Sequence, residues 1–293
     1  MDKRLKMIIK NSKYLSIEKI QHEIAKIIGS YSGYKAYMWN HFELKGLYRA
    51  RQHNHLLGTI NENILSPFNS ELEFWNAPEK SCKLGRCNGV NESVFYCSNE
   101  FEVAIQEIKP ASKYITVASF KPKPKHLQSS FSTAIPIGIQ YLKELPALKK
   151  NFQNIGFDES KFKELDDFLN NLFYSDISDN KLYLYKLTTA ITRNMMIPIR
   201  RGTRDIPMQG IVYSSMARDK KGFNMAYKPN HIISNYYLST VQTLEVKENS
   251  TDTITLQLKR HGYPLNVRNS IDQSFNIHWC EPIINGEVYT FHK

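Results

Sequence analysis

The chain contains several stretches in which apolar residues recur every three or four positions, the spacing of an amphipathic helix. Ser16 is a suitable N-cap for the first stretch and Gly29 a suitable end. Ser98 or Asn99 would cap the second stretch, and the last stretch is the least regular. The predicted helices cover residues 14–29, 99–108, 158–173 and 180–194.

Other stretches are rich in β-branched and aromatic residues over four to seven positions, which predicts strands. The predicted strands cover residues 94–97, 114–120, 211–215, 223–227, 253–258 and 288–291. A charged turn at residues 219–222 separates two of them, and the alternating lysines and prolines of residues 121–125 favour an extended, exposed segment. The pattern predicts the α+β class, with a mixed β core and surrounding helices.

Length and composition are those of an ordinary globular protein. The chain has 293 residues, of which 41% are hydrophobic and 23% charged, so it can bury a core without covalent staples. The formal net charge is +11, but no helix-turn-helix, zinc-finger or RNA-binding signature accompanies it. Direct nucleic-acid binding is therefore not favoured, whereas a nucleotide or an acidic partner suits the charge. The densest basic group is Lys3, Arg4, Lys6, Lys10 and Lys13.

Neither the amino terminus nor any later segment predicts secretion or membrane insertion. The apolar run Met7–Ile9 is too short for the core of a signal peptide, and no stretch is long enough to span a bilayer. Four cysteines do not make a disulfide framework in a chain of this length. These features predict a cytoplasmic protein without membrane contact.

A zinc site is the main alternative use of the cysteines and histidines. Cys82 and Cys87 are separated by four residues and follow His53 and His55, but a second close pair of cysteines is missing from the sequence. No metal is therefore predicted. The sequence also contains no P-loop, GxGxxG turn or GxSxG elbow, which argues against kinases, Rossmann dehydrogenases and α/β-hydrolases.

Three islands of sequence, at residues 47–51, 85–108 and 210–224, combine residue types that suit a nucleotide site. Arg49 at a strand edge would hold a phosphate by a bidentate contact, and Tyr96 at a strand end would offer its ring to a heteroaromatic ligand. Glu107 lies near the end of a mostly apolar helix face, where a carboxylate is uncommon unless it is paired or used. Since the helix opens just after the strand that ends at Tyr96, both side chains would border one cleft.

The islands, in this order, resemble the RES domain, a family named for its arginine, glutamate and serine. The resemblance extends over roughly residues 41–240. It implies a fold related to the ADP-ribosyltransferase toxins, NAD as the substrate, and cleavage of the nicotinamide–ribose bond by hydrolysis or phosphorolysis. The matching motifs are Tyr48-Arg49, Gly85-Arg86-Cys87-Asn88, Tyr96, Ala104-Ile105-Gln106-Glu107, Tyr213-Ser214-Ser215 and Gly222-Phe223-Asn224.

The resemblance also implies roles for individual residues. Glu107, Tyr96 and Arg49 would be the catalytic residues, with Glu107 stabilising a ribosyl transition state of oxocarbenium character. Arg49 and Arg86 would hold the pyrophosphate, Tyr96 would stack on nicotinamide, and Ser215 would hydrogen-bond the nicotinamide ribose. Because nicotinamide leaves as a neutral group, no general acid and no catalytic histidine are expected.

The family is typically one of toxins whose antitoxin partner carries an Xre-type helix-turn-helix domain, and compact members are much shorter than this chain. Residues 1–40 would be a helical extension, residues 125–195 contain a helical insertion into the domain at 41–240, and residues 241–293 would be a β-rich extension. Because of these extra segments, the resemblance does not decide whether the chain has an antitoxin partner or forms a homo-oligomer.

Two alternative functions remain at this stage. An ADP-ribosyltransferase would pass the same ribosyl group to a protein or nucleic acid, and a non-catalytic module would only bind. Retention of the arginine, tyrosine, glutamate and serine together argues against the second. Ser215 fits the family spacing, in which one residue lies between the tyrosine and the serine, and Ser214 is the alternative.

Overall fold

A computed structural model describes most of the chain. The described residues are 3–30, 40–43, 46–53, 68–124, 131–142, 159–175, 177, 181–215, 222–265 and 276–292. The helices are α1 (Lys3–Asn11), α2 (Ile17–Ser30), α3 (Phe101–Glu107), α4 (Ile139–Leu142), α5 (Glu159–Tyr174), α6 (Leu184–Met195) and α7 (Pro229–Asn235). The strands are β1 (Asn40–Glu43), β2 (Leu47–Gln52), β3 (Phe95–Ser98), β4 (Tyr114–Pro122), β5 (Phe131–Ile137), β6 (Ile199–Arg201), β7 (Arg204–Ile206), β8 (Gly210–Ser214), β9 (Phe223–Tyr227), β10 (Tyr236–Asn249), β11 (Thr253–Pro264), β12 (Ile277–Trp279) and β13 (Val288–His292).

Within the described residues, eleven strands form one mixed sheet in the order β1-β5-β8-β9-β3-β2-β4-β10-β11-β12, with β13 also paired to β11. The pairing of β5 with β8 is parallel, and the other pairs are antiparallel. Strands β6 and β7 form a separate two-stranded hairpin. The predicted α+β class with a mixed β core is confirmed.

Helices cover one face of this sheet in two separate groups. Helices α5 and α6 pack on β8, with α1 and α2 stacked behind them, and α3 packs on β2, β3 and β4. Along β9, Ala226 belongs to the core cluster under the first group, while Met225 and Tyr227 face the opposite core. The gap between the two helical groups leaves part of the sheet face uncovered.

The sheet is weakly joined at its centre, between β2 and β3. Strand β2 pairs with β4 over six successive residues, from Leu47 to Gln52. It pairs with β3 only where Tyr48 meets Ser98. Two strands that share a single pair diverge on either side of it, so backbone groups there are open to side chains or ligands.

The predicted helices and strands are present, and their ends differ from the predicted ends by at most six residues. The helix predicted at residues 14–29 is α2, and Ser16 accepts a hydrogen bond from the Lys19 backbone N–H at 3.2 Å as an N-cap does. The prediction that Gly29 ends this helix is wrong, since α2 continues to Ser30. The predicted caps of α3 are also wrong, because its N-cap is Glu100 and makes no side-chain capping bond.

The longest strand, β10, was not predicted. Its pairing with β4 and with β11 is interrupted by register shifts, which break the alternation of apolar and polar residues. The strand runs through position 240 without interruption, so residues after that position continue the central sheet. At the far end of the chain, β13 packs on α3: Phe101 contacts Tyr289 and Phe291, and the Gln106 amide donates to the His292 carbonyl at 3.0 Å.

In the described part of the chain, no helix combines the length and apolarity needed to cross a bilayer. The segment predicted to be extended at residues 121–125 begins within β4, and Lys125 lies outside the described residues. The charged turn predicted at residues 219–222 is described only at Gly222.

Candidate functional site

A cavity of about 250 Å³ opens on the sheet face between the two helical groups. It lies where β2 and β3 diverge, and it receives side chains from four neighbouring strands and from the end of α3. Its lining residues are Tyr48, Arg49, Ala50, Tyr96, Cys97, Ser98, Ala104, Glu107, Ile108, Tyr213 and Asn224. Arg49, Tyr96 and Glu107, three of the residues predicted from the sequence, are thus brought together.

Strand register explains why the polar side chains converge. Tyr213 on β8 lies opposite Asn224 on β9, Asn224 lies opposite Ser98 on β3, and Ser98 lies opposite Tyr48 on β2. Residues that are directly opposite in a sheet point to the same side. One row across four strands therefore presents its side chains to the face that α3 flanks.

Glu107 is the last residue of α3, and its carboxylate accepts hydrogen bonds from a residue that follows β8 and from a residue on β9. One carboxylate oxygen, Oε1, accepts hydrogen bonds from the Ser215 hydroxyl at 2.5 Å and from the Asn224 amide at 2.6 Å. The other oxygen makes no hydrogen bond with a described residue, and the side chain is exposed at the cavity. The geometry fixes one oxygen and leaves the second available to a ligand.

Asn224 lines the cavity and bonds Glu107, but reasoning from the sequence assigned it no role of its own. Its amide oxygen accepts from the Ser98 hydroxyl at 2.7 Å, so its amide nitrogen must point towards Glu107. Asn224 is 5% exposed and Ser98 2% exposed, and bonds of this kind are strong when water is excluded. The available signal was its place at the end of the Gly222-Phe223-Asn224 island.

Gly222 brings β9 close to α3. A Cβ at this position would lie 2.4 Å from the Val103 side chain on α3, which is closer than carbon atoms approach without displacement. The Gly222 carbonyl also accepts from the Ser215 backbone N–H at 2.8 Å. A glycine is therefore required for Ser215, Asn224 and Glu107 to meet.

Arg49 lines the cavity, and its guanidinium lies between β2 and β3, beside Phe95 of the core on the opposite sheet face. Its guanidinium donates to the Tyr96 carbonyl at 3.3 Å and lies 5.5 Å from the centre of the Phe95 ring. It forms no ion pair with any residue in the described part of the chain. Burial, followed by the nearby charge of Arg51, lowers the Arg49 pKa to about 10, so the side chain stays cationic at neutral pH. An unpaired, desolvated guanidinium at a cavity suits an anionic ligand.

Tyr96 offers its ring to the cavity, while its hydroxyl is engaged elsewhere. The hydroxyl donates to the Asn88 side chain at 2.8 Å and accepts from the Cys87 backbone N–H at 2.7 Å. Burial raises the pKa of Tyr96 well above its usual value, so the hydroxyl stays protonated. These two hydrogen bonds hold the loop from Gly85 to Asn88 against the sheet. The loop lies close to Tyr96, because a Cβ on Gly85 would be 3.2 Å from the Tyr96 hydroxyl and 2.5 Å from Asn88 Oδ1.

Arg86 does not line the cavity. Its guanidinium donates to the carbonyls of Phe173 and Ser175, the latter at 3.1 Å, and lies 5.8 Å from the centre of the Tyr185 ring. The last carbonyls of an α-helix have no partner within the helix, so Arg86 caps the end of α5. In this position it joins the loop that precedes β3 to the helical layer.

The two candidate serines differ in their contacts. Ser215 is fully buried and donates to Glu107. Ser214 is also buried, and its hydroxyl has no hydrogen-bond partner among the described residues. Of the two serines, Ser215 is therefore the one that is connected to the cavity, through its hydrogen bond to Glu107.

The residues weighed for zinc are dispersed. Cys87 is buried with a thiol pKa raised by desolvation to about 11, and the Cys82 thiol donates to the carbonyls of Ala77 and Pro78. His53 contacts the Thr116 hydroxyl at 2.7 Å, and His55 lies outside the described residues. No group of three potential ligands occurs in the described segments, and the absence of a metal stays a prediction.

Comparison with known proteins gives little beyond this geometry. No model of a known family matches the chain, and no curated protein matches it. Among solved structures, a chain of the M. tuberculosis MbcT–MbcA toxin–antitoxin complex is similar at 8% identity and a TM-score of 0.35, over 73% of this chain and 92% of that chain. At that TM-score the similarity has no bearing on what this chain does.

We expect Arg86→Gln to destabilise the protein. The change removes the cationic donor from the carbonyls of Phe173 and Ser175, and hydrogen bonds of this kind contribute about 1–3 kcal/mol. The free energy of unfolding in urea should fall by that amount, and Arg200→Gln, on the exposed β6–β7 hairpin, is the matched control. Unchanged stability of the Arg86 variant would contradict the capping role.

Proposed function

We propose that this protein is an enzyme that cleaves the nicotinamide–ribose bond of NAD, with water or phosphate as the acceptor. The observation that carries the proposal is the pairing of two opposite groups on one cavity. Glu107 presents a carboxylate with one fixed and one open oxygen, and Arg49 presents a buried cation without a carboxylate partner among the described residues. A dinucleotide that becomes positive at one ribose and is negative at its pyrophosphate matches both.

The reaction requires stabilisation of a positive charge on ribose. When the bond between C1′ and the nicotinamide nitrogen breaks, the ribose acquires oxocarbenium character. The open oxygen of Glu107 would accept from a ribose hydroxyl and stabilise that charge, while Ser215 and Asn224 prevent the carboxylate from turning away. A preorganised group of this kind typically contributes a factor of about 10²–10³ to the rate.

The cavity suits one half of the substrate. At about 250 Å³ it is at the lower end of the range for small-molecule sites, roughly 300–1,000 Å³. We propose that nicotinamide and its ribose occupy the cavity, that the pyrophosphate meets the buried Arg49 where β2 and β3 diverge, and that the adenosine lies outside. Only the half that reacts is then enclosed.

The aromatic walls match the leaving group. Tyr48, Tyr96 and Tyr213 border the cavity, and the ring of Tyr96 is immobilised by its hydroxyl bonds. Burial raises the pKa of Tyr96 and of Tyr213 well above the usual value, so neither would be a base. The rings can stack on nicotinamide, which leaves neutral and needs no proton.

Ser215 acts in this proposal through Glu107 rather than directly on the ribose. Its hydroxyl proton points to Glu107 Oε1 at 2.5 Å, so it orients the carboxylate. The proposal includes no contact between Arg86 and NAD, because the Arg86 guanidinium donates to the carbonyls at the end of α5.

The biological role proposed is that of a toxin of the RES type, with a fold related to ADP-ribosyltransferases and an Xre-type antitoxin as partner. Support comes from the ordered motifs of the sequence, since three of them supply Arg49, Tyr96 and Glu107 to one cavity. Transfer of ADP-ribose to a macromolecule is the second candidate. Its support is the exposure of Glu107 at the cavity mouth, which would admit a bulky acceptor.

Glu107→Gln should abolish most of the activity while the protein stays folded. The amide retains the shape of the carboxylate but not its charge, so turnover of NAD should fall by about two or more powers of ten. Nicotinamide release is measured by chromatography beside the melting temperature, with Glu102→Gln on the same helix as control. The second product would identify the acceptor: free ADP-ribose for water, ADP-ribose 1″-phosphate for phosphate, or ADP-ribosylated protein for a macromolecule. Wild-type turnover in the Glu107 variant would refute the mechanism.

Arg49→Gln should weaken binding of ADP-ribose by roughly ten- to a hundred-fold, since a charge-assisted phosphate contact is lost. Arg51→Gln is the matched control, because Arg51 lies on the same strand but bonds the Glu73 carbonyl outside the cavity. Calorimetric titration supplies both affinities. Binding to the wild type should also decline as pH rises through about 10, where Arg49 loses its proton. An equal loss of ADP-ribose affinity in both variants would contradict the proposed contact between Arg49 and the pyrophosphate.

Asn224→Ala and Asn224→Asp should both lower kcat, because each removes the amide donor that holds Glu107 Oε1. The aspartate variant should lose more, since a second carboxyl group beside Glu107 disfavours the arrangement. Nicotinamide release is measured beside the melting temperature of each variant. Wild-type kcat in both folded variants would mean that Asn224 has no role in positioning Glu107.

A further inference from the structure

The helical hairpin of α1 and α2 is firmly attached to the body of the protein. The Lys186 ammonium on α6 donates to the carbonyls of Lys13 and Leu15 in the turn of the hairpin, both at 3.2 Å. Asn194 of α6 donates to the Gln21 carbonyl at 2.9 Å. The side of the hairpin that faces α6 is therefore fixed, and its outer side forms a preformed surface.

A second cavity, of about 500 Å³, lies along this hairpin and has twice the volume of the cavity at Glu107. Its lining residues are Arg4, Met7, Ile8, Asn11, Tyr14, Leu15, Lys19, Glu23, Lys26 and Ile27. Ile8 and Ile27 form an apolar floor that is almost inaccessible, at 5% and 1% exposure, whereas Met7 is 60% exposed and Tyr14 82% exposed. Large apolar side chains exposed beside an apolar groove are typical of a binding site. We call these ten residues the α1–α2 groove.

The rim of the α1–α2 groove is basic. Three of its side chains, Arg4, Lys19 and Lys26, are cationic, and Glu23 is the one carboxylate among its lining residues. Glu23 is already engaged, at 3.1 Å from Lys26 and 3.5 Å from Lys19. Helix α1 adds further lysines and contains no acidic residue, so the field around the groove is positive.

We propose that the α1–α2 groove binds an acidic, amphipathic helix of a partner protein. Such a helix would place apolar side chains on Met7 and Tyr14, above the floor of the groove, and its flanking carboxylates would meet Lys19 and Lys26. Helix-in-groove recognition uses this combination of an apolar stripe and complementary charges on either side. The groove shares no lining residue with the Glu107 cavity, so the proposal is independent of the catalytic one.

Other occupants fit the observations less well. A second copy of the chain would bring another positively charged groove and a net charge of +11 against this one. A nucleic acid would satisfy the rim but would leave the apolar floor unused. Insertion into a membrane needs a projecting apolar helix face, whereas Leu5 and Ile8 of α1 are buried.

The test uses the full chain and a fluorescein-labelled helical peptide of about five turns. The peptide carries leucines on one face and glutamates beside them, and a matched peptide replaces each glutamate by lysine. Fluorescence anisotropy is measured at low and moderate salt for the wild type, for Lys19→Glu/Lys26→Glu, and for Met7→Gln. The control is Lys121→Glu/Lys163→Glu, which changes the net charge equally at exposed positions on β4 and α5. Melting temperatures verify folding.

We expect the acidic peptide to bind and the basic peptide not to bind. The groove double variant should weaken binding at least ten-fold, the control double variant less than three-fold, and Met7→Gln several-fold. The proposal fails if the acidic peptide does not bind, or if both double variants lose affinity equally. It also fails if the groove double variant loses binding to phosphatidylserine vesicles while peptide binding persists.

Discussion

The arrangement of the site depends on the hydrogen bonds that hold one oxygen of Glu107. A carboxylate at the last position of a helix lies at the negative end of the helix dipole and is disfavoured there. Ser215 and Asn224 provide two donors at 2.5 and 2.6 Å that offset this cost. Because these donors belong to β8's end and to β9, the helix, the two strands and the turn at Gly222 must all be in place before the carboxylate is fixed.

Arg49 illustrates the complementary constraint. A guanidinium that is buried without a carboxylate partner among the described residues costs stability, as its lowered pKa reflects. The divergence of β2 from β3 makes this position possible, because the free Tyr96 carbonyl accepts a hydrogen bond from the side chain. An anionic ligand would complete the solvation that folding removed. A loss of stability of this kind is common where a protein is organised for binding rather than for stability.

The parts of the chain outside the proposed catalytic domain are integrated with it to different degrees. The strand β13 contacts α3 through aromatic rings and through Gln106, so it supports the helix that ends at Glu107. Among the described residues, the hairpin of α1 and α2 makes its main contacts with α6. Its basic groove and the cavity at Glu107 share no lining residue.

Elements with a regular apolar pattern, such as α2, α5 and the first half of β11, follow from the sequence alone, because burial of one face follows directly from periodicity. The sequence also identified Arg49, Tyr96 and Glu107 through residue type and the order of the motifs. Strand order and register, which no local pattern contains, decided that Asn224 and Ser215 meet Glu107 and that Arg86 caps α5 instead of facing the cavity. These contacts join residues about 90 to 120 positions apart, and only the packed sheet and helices bring them together.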